Sequence, residues 1–365
     1  MIEDRVTAII DLKALLKNYE TLKLLNHGKD VYAVVKADAY GHGSKECSKY
    51  LFNHGVQHFA VTALKEAIEL REYGIGGEIL IFGKTDKRNA IFLEKFNLVQ
   101  TVDSFSYAEE LNDQGYKIDV HVNVDTGMSR LGVVCHHEKD IANAALEIRN
   151  ISLLDNIGLI GIYTHFTSAD SDKDFTIYQE KVFLTLLKEL RKINVDYGKV
   201  HIKNSAGLNI LDSNNYDLAR SGIALYGYPP VESDFDFFPV MTVLAKVIAL
   251  REIEKEETVS YGRTFKAEKK IKVATIAIGY ADGYMRVFSN KDYFFYKNHK
   301  LKVLGRVCMG LTMVDATDVD IKIGDEVEVF GRNKPLEPMA KIADTITYEL
   351  LCNMAKSRVK REFIE

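Results

Sequence analysis

Short apolar, β-branched runs separated by amphipathic stretches fill the first part of the chain. The runs cover residues 31–36, 58–61, 78–83, 97–102, 119–125, 159–166, 200–205 and 217–222. Runs of this length and composition predict strands buried on both faces. Between them, residues 62–73 and 174–193 carry apolar positions at helical spacing. Thr62 is placed to cap the first of these helices and Gly74 to end it. Strand–helix alternation predicts a parallel sheet with crossover helices, and eight strands is the number that closes a TIM barrel. A doubly wound open sheet is the alternative, but no Gly-x-Gly-x-x-Gly follows the first strand.

The pattern then changes. Tyr226-Gly-Tyr-Pro-Pro-Val-Glu-Ser-Asp-Phe-Asp holds two of the five prolines and reads as a linker. Strand-like runs without long helices follow at 241–251, 258–262, 271–278, 299–307, 312–316 and 326–330, separated by turn signals such as Ala281-Asp-Gly and Ile323-Gly-Asp. A helix over 337–356 completes the pattern. Residues 1–10 read as an extra strand that pairs with this second part. The expected fold is α/β: an N-terminal (β/α)8 TIM barrel over 11–230, then a C-terminal all-β domain over 231–365 with strand 1–10.

Composition narrows the class. Of the 365 residues 47% are hydrophobic and 10% aromatic, enough for an ordinary globular core. A net charge of -4 gives no reason to expect a nucleic-acid surface. No apolar run is long enough to span a bilayer, and Met1-Ile2-Glu3-Asp4 is not a signal-peptide start. Cys47, Cys135, Cys308 and Cys352 are scattered, which fits reduced thiols in the cytoplasm and no metal site.

Candidate chemistry gathers at the strand ends. Lys36 follows Val31-Tyr-Ala-Val-Val, where an ammonium is expensive to desolvate. A partly desolvated lysine at a strand tip suits Schiff-base chemistry; a lysine snorkelling at a strand end is the plain alternative. Arg130 follows strand five, His165 ends strand six, Ser205 ends strand seven and Arg220 lies in strand eight. Reactive groups of TIM barrels cluster at these ends, and the loops after strands seven and eight commonly hold a phosphate. Ser205 offers a hydroxyl there, and Gly222 and Ile223 offer backbone N–H groups. An imine-forming lysine beside a phosphate cradle points to pyridoxal 5′-phosphate.

Eight ordered motifs carry a resemblance. They are Ala33-Val-Val-Lys-Ala-Asp-Ala-Tyr-Gly-His-Gly, Asp125-Thr-Gly-Met-Ser-Arg-Leu-Gly, Thr164-His-Phe-Thr-Ser-Ala-Asp and Asn204-Ser-Ala-Gly. Arg220-Ser-Gly-Ile-Ala-Leu-Tyr-Gly, Val259-Ser-Tyr-Gly-Arg-Thr-Phe, Ile278-Gly-Tyr-Ala-Asp-Gly and Gly305-Arg-Val-Cys-Met follow. The chain resembles the alanine racemase family nearly end to end. The resemblance implies a barrel and a β domain, pyridoxal phosphate, and a homodimer whose active sites combine the barrel of one subunit with the β domain of the other. It implies that Lys36 holds the cofactor and is the base on one face of the substrate Cα, and that Tyr261 from the partner serves the other face. Arg220 would face the pyridine nitrogen. Tyr40, His165, Ser205, Gly222, Ile223 and Tyr280 would complete the cofactor site, and Arg130 and Met309 would hold the substrate carboxylate.

Three positions depart from the family. Gly310 stands where an aspartate usually follows Cys-Met. Asn123 stands where many members carry a carbamylated lysine, leaving Arg130 to another partner such as chloride. The tyrosine before Arg-Val-Pro-Arg is missing in Cys352-Asn-Met-Ala-Lys-Ser-Arg-Val-Lys-Arg, where Lys356 or Ser357 takes its place. This pattern resembles the serine/alanine racemases of glycopeptide resistance, cytoplasmic domains attached to a membrane segment. The expected activity is therefore racemisation of alanine and also of serine, with a dedicated serine racemase as the alternative. A cofactor-carrier barrel would lack Tyr261 and the β domain. A basic amino-acid decarboxylase is disfavoured by the Val-Ser-Tyr-Gly and Gly-Tyr-Ala-Asp-Gly motifs.

Overall fold

The computed structural model describes residues 5–211 and 213–365. Residues 1–4, which begin the expected first strand and the segment read for a signal peptide, lie outside them. The chain divides into two compact units. One comprises Leu16–Ala37 and Ser44–Phe237; the other takes the residues up to Leu15, Asp38–Gly43 and Phe238–Glu365. Among the described residues no helix is long and apolar enough to cross a membrane.

After β1 (Val6–Asp11) come β2 (Val31–Val34), β3 (His58–Val61), β4 (Glu78–Ile81), β5 (Val99–Val102) and β6 (Ile118–Asp125). A two-residue β7 (Val133–Val134), β8 (Ile157–Thr164), β9 (Lys199–His201) and β10 (Ala219–Ser221) follow. Strands β10-β2-β3-β4-β5-β6-β8-β9 lie in one parallel row, with β7 beside β6. A bridge from His201 to Leu218 joins the ends of the row, closing the expected eight-stranded barrel. Every residue of β2 and β5 is buried, as the unbroken apolar runs require. The interior also holds fully buried polar side chains, among them His121, Thr164, His201 and Lys203.

The second unit is built on a long β11 (Met241–Ile253), whose first half alternates buried and half-buried positions. Short strands β12 (Thr258–Val259) and β13 (Phe265–Lys266) form a separate ribbon. They are followed by β14 (Ile271–Ile276), β15 (Tyr293–Tyr296), β16 (His299–Lys302), β17 (Thr312–Asp315), β18 (Glu326–Phe330) and β19 (Lys360–Ile364). The main row runs β16-β15-β18-β11-β1-β19, and β14 joins β11 to β17. The N-terminal strand pairs with β11 antiparallel, as expected, and with β19 parallel. Val259, Ala267, Ile271, Val273 and Leu304 form one core cluster.

Several expected boundaries are corrected. Thr62 does not cap its helix, which is Leu64–Glu72 with Ala63 at the cap; Glu66 instead accepts the Thr62 and Ala63 N–H groups. Strand 258–262 stops at Val259 because Ser260 turns to φ 67. Strand 299–307 is only β16, since Gly305 bends the chain at φ 72. The helix over 337–356 is two helices, Glu337–Ala343 and Thr347–Asn353, broken where Asp344 adopts φ 51. Strands β15 and β19 were not legible; β19 alternates exposed and half-buried positions and lacks an apolar face.

Candidate active site

In the barrel unit, the sequence-predicted residues fall at the C-terminal ends of the strands. Lys36 stands two residues past β2, and Ala37, Asp38, Ala39 and Tyr40 after it all have φ between 53 and 55. Left-handed backbone costs a non-glycine residue roughly 1–2 kcal/mol, so this turn is held from outside. Glu66 accepts the Ala37 N–H at 2.7 Å. In the other unit, His42 Nδ1 lies 2.9 Å and 3.1 Å from the Ala39 and Tyr40 carbonyls, and Arg361 pairs with Asp38 at 2.6 Å. Tyr40 is buried there, its ring 6.0 Å from that of Tyr348, and burial pushes its phenol up.

Arg130 lies on a loop organised by Asp125. One carboxylate oxygen accepts the backbone N–H groups of Gly127, Met128 and Ser129 at 2.8–3.0 Å. Burial pushes Asp125 up, but those N–H groups and His136 outweigh it and hold the carboxyl below its ordinary value. Asn123 Nδ2 donates to the Leu131 carbonyl at 2.6 Å, and its buried Oδ1 accepts no hydrogen bond among the described residues. Gly132, at φ 133, passes so close to β6 that a Cβ would stand 2.6 Å from the Asp125 nitrogen.

His165 directly follows β8. Burial and the cations of Arg220, Arg130 and Lys36 push it down to about 3, so the ring is neutral at pH 7. Arg220 is buried, and burial pulls its guanidinium down to about 10, so it keeps its charge at pH 7. Its Nη1 donates to His201 Nδ1 and O, both at 2.8 Å. Its Nη2 donates to the Thr164 carbonyl at 2.7 Å and is shared between Ile202 O at 3.2 Å and His165 Nδ1 at 3.4 Å. Among the described residues only the Nε–H has no protein acceptor. The guanidinium also lies over the Tyr163 ring, 4.8 Å from its centroid.

Ser205 Oγ lies 3.1 Å from Ser221 Oγ and accepts the Gly222 N–H at 3.1 Å. Ile223 opens a short 3-10 helix, Ile223–Tyr226, where an N–H has no partner within the helix. Hydroxyls and first-turn N–H groups are the donor set a phosphate takes.

The remaining predicted residues lie in the second unit and share one surface there. Ser260 Oγ donates to the Arg306 carbonyl at 2.6 Å, Tyr280 N to Cys308 O at 3.1 Å, and Ala281 N to Met309 O at 2.8 Å. Gly279 is required, since a Cβ would stand 2.2 Å from the Cys308 oxygen. Tyr261, Met309 and Tyr280 are 72%, 60% and 43% exposed, unusually so for large apolar side chains. The space beside Gly310 is not open: a Cβ there would meet the Arg358 and Arg5 guanidinium groups at 3.2 and 3.3 Å.

Sequence reasoning did not single out His121, His201, Tyr163 or Glu78. For His121 a local signal was present, since His121, Asn123 and Asp125 alternate with valines along β6, but nothing local marks its partners on other strands.

A barrel mouth with a strand-end lysine, a buried cation and hydroxyl and N–H donors in the loops after the last strands is the site of an enzyme that takes a phosphate-bearing cofactor. Comparison with known proteins agrees. Residues 10–230 match the alanine racemase N-terminal domain and residues 240–363 the alanine racemase C-terminal domain. Alanine racemase 1 of Clostridium acetobutylicum is 36% identical over 374 residues, covering 99% of this chain and 95% of the relative. The solved alanine racemase of Clostridium difficile 630 is 34% identical with a TM-score of 0.92, covering 100% of this chain and 97% of its own. That of Bartonella henselae, solved with covalently bound pyridoxal phosphate, is 30% identical with a TM-score of 0.88 and covers 99% and 100%. The chain belongs to the alanine racemase family, whose cofactor is pyridoxal phosphate.

Proposed function

We propose that this protein is a pyridoxal-phosphate-dependent racemase that interconverts L- and D-alanine. The observation that carries the reading is Arg220, a buried guanidinium with its Nη groups bound to protein and its Nε–H alone left over. When bound, the cofactor supplies an electron sink that acidifies the substrate Cα–H. An arginine cannot hand over its proton, so Arg220 would only hydrogen-bond the cofactor's ring nitrogen and would leave the electron sink weak. A weak sink favours proton exchange over decarboxylation and other side reactions. Ser205 Oγ and the Gly222 and Ile223 N–H groups would hold its phosphate, and Tyr40 and Tyr280 would serve the phosphate or substrate end.

Racemisation needs a base on each face of the Cα. Lys36 Nζ serves one face and the Tyr261 hydroxyl the other. The exposure of Tyr261 supports its delivery by a second copy of the chain, so the working form is a homodimer with shared sites. Arg130 and the Met309 backbone hold the substrate carboxylate. The protein acts in the cytoplasm and supplies D-amino acids for peptidoglycan precursors. Serine is a second substrate on this reading. The support is the missing C-terminal tyrosine, since two arginines fill the space beside Gly310.

Borohydride reduction of the yellow holoenzyme, followed by peptide mapping, tests the assignment. Cofactor trapped on Lys36 is expected; trapping on another lysine overturns it.

A further inference from the structure

A chain of side chains runs on from Arg220 through two buried histidines to a carboxylate at the start of β4, beyond the contacts described for the site. Arg220 Nη1 is 2.8 Å from His201 Nδ1, and His201 Nε2 is 2.8 Å from His121 Nδ1. His121 Nε2 faces Glu78 Oε1 at 3.8 Å, beyond hydrogen-bond length but within reach of charge. Glu78 is itself held by Lys199 Nζ at 2.6 Å and by the Tyr32 hydroxyl. Both histidines are fully buried. Gly161, the register partner of His121, leaves that ring its place: a Cβ at 161 would stand 2.4 Å from it.

Donor arithmetic fixes the protons. Arginine only donates, so His201 presents a bare Nδ1 and carries its proton on Nε2. That N–H donates to His121, which accepts at Nδ1 and carries its own proton on Nε2, toward the carboxylate. The opposite order would set N–H against N–H at Arg220 and a bare nitrogen against Glu78. Burial lowers His121 to about 4 and His201 well below its ordinary value, so both rings are neutral at pH 7. Glu78 is pushed up by burial, but His121, Lys199 and Tyr32 outweigh this and keep it ionised.

We infer that Glu78, acting through His121 and His201, is a positioning residue for Arg220, fixing the histidine tautomers that hold the guanidinium with its Nε–H toward the cofactor ring. This rests on the role given to Arg220 above. The partner behind a histidine commonly sets its tautomer, and losing such a partner at metal sites costs 10–100-fold.

Ring-nitrogen NMR of 15N-histidine-labelled holoenzyme tests it, with signals assigned through His121→Gln and His201→Gln. The wild type should show the proton on Nε2 of both rings. Glu78→Gln removes the charge and should mix the tautomers. It should also lower kcat for L-alanine about tenfold with KM little changed, and shift the visible absorbance of the bound cofactor. An Nδ1 proton on either ring of the wild type overturns the inference even if the variant does not fold. So do unchanged tautomers in Glu78→Gln, or changed tautomers with kcat and absorbance intact. A merely structural Glu78 would lower thermal stability and leave tautomers and kcat alone. Failure of the cofactor reading appears separately, as no trapping on Lys36, and leaves the tautomers readable.

Discussion

Acidification should unfold this protein through its buried histidines. His42, His121 and His201 are fully buried, and burial pushes His42 and His121 down to about 4 and His201 well below its ordinary value. Each is neutral in the folded chain and free to take a proton once unfolded. With a depressed folded pKa, each contribution is complete above about pH 6.5. It is lost as pH falls from there toward about 4, because the unfolded state then binds more protons. At pH 5 the loss is about 2 kcal/mol per histidine; His165, pushed down to about 3, adds a like amount, so the four together lose on the order of 8 kcal/mol, against about 5–15 kcal/mol for a whole domain. Asp125 and Glu78, both held below their ordinary values, add to the loss only at lower pH. Urea unfolding of the holoenzyme by far-UV circular dichroism at pH 7 and pH 5 measures it. The midpoint should fall steeply, and His42→Gln should remove about a quarter of the change. A midpoint unchanged between the two pH values would refute the reasoning.

Other perturbations probe the site directly. Arg220→Lys puts at most three donors from one point where five acceptors now surround the guanidinium; leaving two unmet should cost about 2–6 kcal/mol. The urea midpoint reads this, and a loss below about 1 kcal/mol means the network is not what holds that region. The same variant can protonate the ring nitrogen, so pyruvate from abortive transamination should appear; its absence counts against the weak-sink argument. Tyr261→Phe should slow racemisation by roughly 10²–10⁴-fold, and mixing Lys36→Ala with Tyr261→Phe subunits should restore part of it. No rescue despite verified subunit exchange speaks against a shared site. Comparing kcat/KM for L-serine and L-alanine tests the second substrate, and a serine value more than about a thousandfold lower contradicts it.

The barrel was legible because its strands are buried on both faces and read as unbroken apolar runs. Each of the eight runs overlaps an observed strand, and β6, β8 and β9 begin one or two residues before theirs. The β domain was less so. Tyr293-Phe-Phe-Tyr is apolar enough for a strand, but β16 is mostly exposed and gives the hairpin no second apolar run. The helix over 337–356 carries a helical pattern through Asp344, and only the left-handed φ there separates its two parts. At the site, the placing of Lys36, His165 and Arg220 at strand ends could be read from the pattern alone. Glu78, His121 and His201 could not, because their partners come from three different strands. Nothing local says that a histidine on β6 meets one on β9.

The two proposed bases share a local device. Lys36 immediately precedes four left-handed residues, and Tyr261 immediately follows Ser260 at φ 67, with no glycine at any of the five positions. At roughly 1–2 kcal/mol per residue, the turn after Lys36 alone carries a cost comparable to a large core mutation. It persists because its partners fix it: Asp38 pairs with Arg361, His42 bonds two of its carbonyls and Gly43 N–H closes onto Asp38 O. Ser260 is likewise tied through its hydroxyl to Arg306. A relaxed turn at either place would let the reactive side chain swing. Strain that surrounding contacts over-determine instead holds each base to one direction, which proton exchange on opposite faces of a single carbon demands.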